Sequence, residues 1–490
     1  MSETAPELVI GIDIGTGGVR ALAADASGNI VAQAQQPLEA PTRREGPVHE
    51  QDADSWWAAT CAVCHILMAE LNRRGRSHHL RAVCVDGTSG TLLCLDAQHR
   101  PLRPAIMYND GRATAEATRL NELAGDFCSR MGYSFAASFA LAKALWVKHN
   151  EPEVFARTAR FLHQGDYLAA RLCGRFDTSD YSNALKSGYD LLDDRWPDWL
   201  AREDGLRERL PDVVAPGTPI GQLAPSAAED TALPAGLAVV AGVTDGTAGF
   251  LASGVRRPGD YNTTLGTTLV FKGLATALCR HPRGLIYCHK LPGASPGSAM
   301  WLPGAASNTG AEWIARHFPG ADPAALDAAA ASRLPTHHIA YPLVAAGERF
   351  PFLCPDARGF CVPPAQGAAL YAAQLQGTAL LERLAYDLLD QTCSASGGAV
   401  YATGGGSRSD VWMQCRADAT ARSFHRPACA EAAFGAAVLA AAGCIFPNLW
   451  EAMARMVRIE RSFAPNPGRA GAFDAAYEQF KHELHQRGYL

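Results

Sequence analysis

The chain has 490 residues, of which 48% are hydrophobic and 19% charged, and its formal net charge is −5. This length exceeds one ordinary core and predicts two large domains, and the composition excludes disorder on a large scale. The acidic balance disfavours nucleic acid as a partner. The N-terminus lacks a signal-peptide pattern and residues 434–446 are too few to cross a bilayer, so we predict a cytoplasmic protein with no membrane partner.

The fourteen cysteines lie in apolar contexts, which is typical of buried free thiols in a reducing compartment. Cys61 and Cys64 form the one Cys-x-x-Cys pair and lie in a helical pattern, with no second pair at metal spacing. The sequence therefore favours neither a structural zinc site nor a disulfide framework.

The first half reads as an α/β arrangement. Residues 8–24 predict strand, tight turn and strand, and residues 30–34 predict a third strand of the same antiparallel meander. Helical periodicity follows over residues 55–71, and apolar runs at 81–85 and 91–95 predict two more strands.

The glycines of the segment GIDIGTGG raise the question of a nucleotide loop. A dinucleotide loop needs a helix directly after its glycines, but a strand pattern follows here, and no Walker sequence occurs. The remaining interpretations are a purely structural hairpin, or a hairpin whose Gly15, Thr16 and Gly17 bring backbone N–H groups and a hydroxyl to phosphate.

Asp13 precedes that turn by two residues. A carboxylate there repels phosphate directly, so the functional interpretation is that it binds Mg²⁺, or the waters around Mg²⁺, beside the phosphates. The alternative is an aspartate with no role in binding.

The second half repeats the pattern of strands and glycine turns. The segment NTTLGTT predicts a second hairpin, with Gly266, Thr267 and Thr268 as phosphate donors opposite the first. A long alanine-rich helix is predicted over residues 367–390. After it, Gly404, Gly405, Gly406 and Ser407 lie between a strand and a helix, where glycines permit close approach of a base or a ribose.

Asp245 follows a predicted strand, and a predicted helix starts after it. A helix N-terminus favours the ionised carboxylate, as a proton acceptor in phosphoryl transfer requires. An Asp in this place is also a common helix N-cap, and the two roles are compatible.

Taken together, these motifs resemble the FGGY family of carbohydrate kinases along nearly the whole chain. The resemblance rests on GIDIGTGGVRA, GPVHEQDADSWW, VDGTSGTLLCLD, MYNDGR, GVTDGTAGFLASG, NTTLGTT, GERFPFLCPDARG and TGGGSRSDVWMQCRADAT. It implies an α/β fold of two ribonuclease-H-like domains, of the actin and hexokinase type, with a cleft between them. We place the domains at residues 1–256 and 257–490, with a helical tail from about residue 446.

The resemblance also implies roles for single residues. Asp245 matches the catalytic base that accepts the proton of the sugar's terminal hydroxyl, and Asp13 matches the acidic residue near Mg²⁺ and substrate. The two hairpins match the sites for ATP phosphates, and the glycine loop at 404–406 matches the adenosine site. Asn308 falls where the family approaches the nucleotide, and Asp110 of MYNDGR belongs to the acceptor site.

Substrate choice turns on residues 87–90, Gly-Thr-Ser-Gly, where xylulokinases typically carry Gln-Met-His-Gly. With Thr88 and Ser89 there, the chain looks most like the D-ribulose kinases of cyanobacteria and plants, with Ser89 as a hydroxyl contact to the sugar. D-xylulose, which differs at one stereocentre, is the alternative substrate. Without the resemblance, these two residues read as an ordinary turn after a strand.

One segment departs from the family pattern. In SFALAKALWVKHN the family's lysine is Lys143, but Ala140 stands where Pro, Ser or Thr is usual, and we interpret the segment as a packing helix. Chaperones and filament-forming ATPases share the architecture and form the alternative of another class, and a nicotinamide dehydrogenase ranks last. We expect a monomer or homodimer.

Overall fold

The computed structural model describes residues 6–40, 42–43, 47–293, 299–395 and 397–490. Residues 1–5, at the N-terminus where a signal peptide was considered, lie outside this part. So does Gly46, the first residue of the motif GPVHEQDADSWW. The strands are β1 (Leu8–Gly15), β2 (Gly18–Asp25), β3 (Ile30–Pro37), β4 (Thr42–Arg43), β5 (His49–Gln51), β6 (Leu80–Gly87), β7 (Leu93–Leu95), β8 (Ala105–Ile106), β9 (Arg160–Leu162), β10 (Thr178–Asp180), β11 (Asp212–Val214), β12 (Pro219–Gln222), β13 (Ala238–Thr244), β14 (Tyr261–Leu265), β15 (Leu269–Gly273), β16 (Tyr287–Lys290), β17 (Trp301–Ser307), β18 (Ile339–Tyr341), β19 (Phe360–Val362), β20 (Val400–Thr403), β21 (Phe424–Pro427) and β22 (Ile459–Phe463). The α-helices are α1 (Ala53–Arg73), α2 (Thr114–Leu123), α3 (Gly125–Met131), α4 (Ala140–Asn150), α5 (Pro152–Arg157), α6 (Gln164–Cys173), α7 (Tyr181–Ala184), α8 (Pro225–Thr231), α9 (Asp245–Ser253), α10 (Glu312–His317), α11 (Pro323–Ala331), α12 (Gly367–Cys393), α13 (Asp410–Thr420), α14 (Ala432–Cys444), α15 (Leu449–Met456) and α16 (Ala470–Gln486).

The chain forms two compact units. The first unit comprises Met1–Ala252, His289–Pro296 and Cys429–Arg458, and the second comprises Ser253–Cys288, Gly297–Ala428 and Ile459–Leu490. Each unit is built from three segments of the chain, whereas the sequence analysis predicted a single boundary between residues 256 and 257.

The first unit contains a six-stranded sheet in the order β12-β13-β6-β1-β2-β3. Strands β1, β6 and β13 run parallel, whereas β1-β2, β2-β3 and β12-β13 pair antiparallel. The three central parallel strands read as nearly continuous apolar runs because helices cover both faces of the sheet. The predicted meander of β1, β2 and β3 is confirmed.

The second unit contains a seven-stranded sheet in the order β16-β17-β15-β14-β20-β21-β22. Its centre repeats the pattern of the first sheet, with an antiparallel hairpin β14-β15 beside two parallel strands, β20 and β21. The duplicated architecture expected from the two hairpins is therefore present. The tail is only partly helical, because β22 adds an antiparallel edge strand to this sheet between α15 and α16.

Helix α14 packs against the first sheet although it lies more than 400 residues after β1 in the chain. A Cβ atom on Gly11 of β1 would lie 1.8 Å from the carbonyl oxygen of Ala433, and one on Gly435 would lie 1.8 Å from that of Ala248 in α9. Glycine at both positions therefore lets the backbone of α14 touch a strand on one side and α9 on the other.

The cysteine prediction was wrong at two positions. Cys279 and Cys393 of the second unit form a disulfide, because the loop before β16 meets the end of α12 with the two Cα atoms 5.1 Å apart. Cys61 and Cys64 lie in α1 as predicted and are free thiols. In the described part of the chain, no helix combines the length and apolarity needed to cross a membrane.

The contact between β1 and α14 gives a test of stability. We expect Gly11→Ala to lower the free energy of unfolding by about 3 kcal/mol, because the new methyl group overlaps a backbone carbonyl that cannot move alone. Gly17→Ala in the same hairpin is the matched control, since its Cβ would have no atom of the described residues within 4 Å. Urea unfolding of both full-length variants measures the difference, and equal midpoints would contradict the packing described.

Candidate active site

Three carboxylates lie at the carboxyl ends of three neighbouring strands of the first sheet. Asp13 of β1 stands opposite Asp86 of β6, which in turn pairs with Val243 of β13, and Asp245 follows two residues later. Carboxyl ends of parallel strands meet at one edge of a sheet, which is where α/β proteins commonly bind ligands. The structure thus brings Asp13 and Asp245 to the same edge, as the proposed site requires.

Asp86 is a member of this group that the sequence analysis missed. Its side chain is fully buried, and its carboxyl group lies against that of Asp13. Burial, followed by the charge of Asp13, a hydrogen bond with the Asp13 carboxyl group and the charge of Asp245, raises the pKa of Asp86 well above its ordinary value. Its position directly after the apolar run of β6 is the signal that sequence reading overlooked.

Asp13 is 8% exposed and has a cation beside it. The Arg20 guanidinium on β2 donates to its carboxylate at 3.2 Å, because the antiparallel register places these two residues opposite each other. Arg20 itself is half exposed, so this ion pair is open to solvent and to ligands.

Asp245 is the first residue of α9, and the N–H of Gly246 donates to its carboxylate at 2.6 Å.

The residue before Asp245, Thr244, is held by hydrogen bonds to Ser182 of α7, a second residue that the sequence analysis missed. The Ser182 hydroxyl accepts from the Thr244 N–H at 3.3 Å and lies 3.3 Å from the Thr247 hydroxyl. All three hydroxyl residues are buried, so α7 holds the backbone on which Asp245 stands.

Helix α7 is held in turn by a buried carboxylate. Asp180 accepts hydrogen bonds from the N–H groups of Ser182 and Asn183 and from the Asn183 amide, at 2.7 to 3.0 Å. Asp166 of α6 is also buried, and burial and then the charge of Asp180 raise its pKa well above the ordinary value. Burial raises the pKa of Asp180 to about 6.

The turn after β6, residues 87–91, carries the two residues predicted to read the sugar. The Thr88 N–H and hydroxyl both donate to the Gln164 side-chain oxygen, at 3.1 and 2.6 Å. The Ser89 hydroxyl, by contrast, is buried and has no hydrogen-bond partner among the described residues. Thr88 therefore shapes the turn, and Ser89 keeps a donor and an acceptor for a ligand.

Asp110 is 1% exposed and is saturated by protein donors. Its carboxylate accepts from the N–H of His49 and from the backbone N–H, Nε and Nη2 of Arg112, at 2.6 to 3.0 Å. The same Arg112 pairs with the buried Glu50 at 2.9 Å. This arrangement suits a residue that holds its segment in place, since the four sites of the carboxylate are filled.

The first glycine hairpin is formed as predicted, with Gly15 and Gly18 closing the register of β1 and β2. Its tip is partly exposed, and its outer backbone is tied down by the Gln51 amide on the Thr16 carbonyl at 3.1 Å and by the Leu38 N–H on the Gly17 carbonyl. The Thr16 and Gly17 carbonyls of the tip are thus occupied by protein donors.

A cavity of about 580 Å³ lies in the second unit and brings together residues of the second hairpin and of the third glycine loop. Its volume is within the range of small-molecule sites. A Cβ atom on Gly404 would lie 2.6 Å from the Leu265 carbonyl, so glycine lets the loop approach β14 closely. The lining residues are Leu265, Gly266, Thr267, Ala311, Ile314, Pro323, Ala324, Asp327, Tyr371, Gly405, Gly406, Arg408, Ser409 and Trp412.

The other predicted nucleotide residues are not among the lining residues of this cavity. The Ser407 hydroxyl donates to the Gly404 carbonyl at 2.7 Å, and the Thr268 carbonyl accepts from the Gly266 N–H at 3.0 Å. The Asn308 amide donates to the Gly347 carbonyl at 2.9 Å, and its backbone N–H donates to the buried Glu348. The SNTG and GERF motifs are therefore joined through Glu348.

The described side chains of the first unit could supply only some of the direct ligands of a Mg²⁺ ion. Across the described ranges, no three His, Cys, Asp or Glu side chains lie close enough together to hold a metal ion. Mg²⁺ keeps several waters and needs only one or two protein carboxylates. Asp13, whose carboxylate is reached by the half-exposed Arg20, fits such a role, whereas the fully buried Asp86, with its raised pKa, does not.

Comparison with known proteins identifies the architecture. Residues 8–252 match the N-terminal domain of the FGGY family of carbohydrate kinases, and residues 262–444 match its C-terminal domain. The xylulose kinase of Escherichia coli K12 is 30% identical over 97% of this chain and 98% of its own length. That of Klebsiella pneumoniae is 31% identical over 84% of each chain.

A solved structure described as a xyloylose kinase from Brucella ovis superposes with a TM-score of 0.87 at 27% identity, covering 98% of this chain and 99% of that one. The family resemblance seen in the motifs and the two-domain α/β fold that it implied are confirmed. The finer resemblance to D-ribulose kinases is not matched by the names of these relatives.

The carboxylate pair beneath α7 predicts a pH dependence of stability. Both folded-state pKa values lie above the ordinary value of 3.8, so the stability that the neutral carboxyls provide is complete below that pH. It is lost as the pH rises through the folded values, about 6 for Asp180. We therefore expect Asp166→Asn to be more stable than the parent chain at neutral pH and to lose this advantage near pH 4.

Urea unfolding between about pH 4 and about pH 7.5 measures this difference. Asp54→Asn is the control, because the Asp54 side chain is 74% exposed. An Asp166→Asn difference that does not change with pH would show that the buried pair is not the cause.

Proposed function

Because the chain belongs to the FGGY family of carbohydrate kinases, which are phosphotransferases with an alcohol group as acceptor, we propose that it phosphorylates the terminal hydroxyl of a 2-ketopentose at the expense of ATP. The observation that carries the proposal is the meeting of Asp13, Asp86 and Asp245 at one edge of the first sheet. A single hydroxyl placed there meets a proton acceptor beside a carboxylate suited to a cation.

Asp245 is proposed as the catalytic base. Its place at the start of α9 favours the ionised form, and the Gly246 N–H bonded to one oxygen at 2.6 Å orients the carboxylate. The Asp245 carboxylate takes the proton from the acceptor hydroxyl as its oxygen bonds to the γ-phosphorus of ATP, and the bond from that phosphorus to the bridging oxygen breaks so that ADP leaves. Ser182 keeps the backbone before Asp245 in place, so that the Asp245 carboxylate approaches the acceptor hydroxyl oxygen from a fixed direction.

The nucleotide would be held by the cavity of the second unit. Ile314, Tyr371 and Trp412 provide apolar walls for a base, and the backbone without a side chain at Gly266 and Gly405 allows ribose and phosphate oxygens to approach closely. ATP supplies the phosphoryl group. The first hairpin, with Gly15, Thr16 and Gly17, adds backbone donors for phosphate, and Asp13 is proposed to bind Mg²⁺ through its waters, which neutralises phosphate charge.

D-xylulose is the first candidate substrate, since the relatives named above are called xylulose kinases and one is 30% identical over nearly the full length. D-ribulose is the second candidate, because Thr88 and Ser89 stand where xylulose kinases typically carry methionine and histidine. The turn at residues 87–91 offers the unpartnered Ser89 hydroxyl, which can both donate to and accept from a sugar hydroxyl. A buried polar group of this kind discriminates between stereoisomers, because an unmatched partner is costly.

A coupled assay of ADP release with D-xylulose, D-ribulose, pentitols and glycerol tests the function. We expect turnover to require a ketopentose, and Ser89→Ala to raise the KM of the preferred sugar by about tenfold through loss of a buried hydrogen bond. ATP hydrolysis that ignores every sugar would instead support a chaperone-like or filament-forming ATPase. Ranking the two ketopentoses by kcat/KM decides between the candidates.

Removal of the proposed base should separate chemistry from binding. We expect Asp245→Ala to lower kcat by at least about a hundredfold, because proton acceptance in the transition state is lost. Binding of ADP, measured by calorimetry, should be unchanged, since the cavity lies in residues of the second unit. Asp212→Ala, on the exposed end of β11, is the control substitution. A near-normal kcat in Asp245→Ala would refute the assignment.

A further inference from the structure

Lys143 of α4 is a buried cation that the proposed chemistry does not use. Its side chain is fully buried, and its ammonium donates to the Gly90 carbonyl at 2.7 Å and to the Ser138 carbonyl at 3.2 Å. In the described ranges, no carboxylate lies within ion-pair distance of this ammonium. A buried charge without a paired opposite charge is costly, so its presence needs a reason beyond packing.

The two carbonyls that Lys143 binds belong to segments that touch each other. Gly90 has a left-handed φ of +91°, and a Cβ atom there would lie 2.4 Å from the Ser138 carbonyl oxygen. Two carbonyl oxygens turned toward one point repel each other unless a donor stands between them. The Lys143 ammonium is that donor, and it therefore holds the turn at residues 87–91 against the start of α4.

Ser89 precedes Gly90 directly, so the position of its hydroxyl depends on this contact. Ser89 has no side-chain hydrogen bond of its own within the described residues, and Thr88 on its other side is fixed by Gln164. Lys143 thus fixes one end of the turn and Gln164 the other. A hydroxyl held at both flanks is preorganised for a ligand.

We propose that Lys143 is a positioning residue for the acceptor sugar, which acts by holding Gly90 and thereby directing the Ser89 hydroxyl. This inference rests on the proposed function, since it takes Ser89 to contact a ketopentose. It assigns a role in sugar affinity to a helix that sequence analysis interpreted as packing.

The charges around Lys143 make this contact sensitive to pH. Burial lowers the pKa of Lys143 to about 7, with the positive charges of Lys186 and Arg112 adding to the effect and Asp110 opposing it. His163 on the other side has its pKa lowered to about 3, so it stays neutral near pH 7. The ammonium is therefore present below about pH 7 and is lost above it, and the carbonyls are held more weakly as the pH rises.

The experiment compares Lys143→Met with Lys148→Met in the coupled assay, with the sugar and ATP varied separately. Lys148 lies on the same helix and pairs with Glu203 at 3.2 Å, so its replacement controls for loss of a lysine from α4. We expect Lys143→Met to raise the KM of the preferred ketopentose by about tenfold or more near pH 6, because two charge-assisted hydrogen bonds are lost. The KM of ATP should be unchanged in both variants.

The dependence of the sugar KM on pH tests the positioning role, because a purely structural role of Lys143 would leave that dependence unchanged. Between about pH 6 and about pH 7.5, the sugar KM of the parent chain and of Lys148→Met should rise more steeply than that of Lys143→Met, because Asp180 titrates in all three chains and Lys143 only in the first two. The range stops there because burial lowers the pKa of Lys186 to about 8, and Lys186 lies beside the same turn. Lys143→Arg, which keeps a permanent charge, should restore much of the affinity and reduce the pH dependence.

An unchanged sugar KM in Lys143→Met, or the same rise with pH in that variant, overturns the proposal. If Lys143→Met does not fold, as shown by circular dichroism and loss of ADP binding, a Lys143→Arg profile as steep as that of the parent chain overturns it and a flatter one supports it. Failure of the proposed function is distinguishable, because the parent chain would then release no ADP with any ketopentose, and both inferences would fall.

Discussion

The first unit depends on the parallel register of β1, β6 and β13, which brings three carboxylates to one edge of a sheet. Strands in a sheet are about 5 Å apart, so charges at matching positions repel strongly unless one is neutral or a cation intervenes. Asp86 meets this constraint by burial, which favours its protonated form between Asp13 and Asp245. The neighbouring helices and turns serve to hold these three groups in place against that repulsion.

The supports of the site come from segments far apart in the chain. Helix α9 carries Asp245 at its start, and α14 lies against it at Gly435, where no side chain is tolerated. Ser182 reaches the same strand end from α7. In the second unit, a comparable support is the buried ion pair of Arg416 with Glu382, which joins α13 to α12 beside the walls of the cavity. Each unit thus fixes its candidate site through helix contacts rather than through the loops alone.

Local sequence patterns were sufficient for the glycine hairpins, for several strands and helices, and for some of the residues at their ends. The hairpin at residues 15–18, the start of a helix near Asp245 and the glycine loop at 404–406 followed from turn chemistry and apolar runs. Asp86 and Ser182 were missed because their roles depend on strand register and on contacts between segments distant in sequence. Asp110 shows the converse. It stands in a recognisable motif, but its carboxylate accepts hydrogen bonds from His49 and Arg112, which the sequence pattern did not indicate.

The return of α14 to the first sheet has a consequence for how the chain is made. Translation proceeds from the N-terminus, so β1 and β6 are complete long before residues 432–444 leave the ribosome. During that interval the apolar face around Gly11 has no helix to cover it, and the intervening second unit is synthesised first. The nascent chain therefore spends much of its synthesis with an open sheet face, which is a state that chaperones recognise and that aggregation exploits.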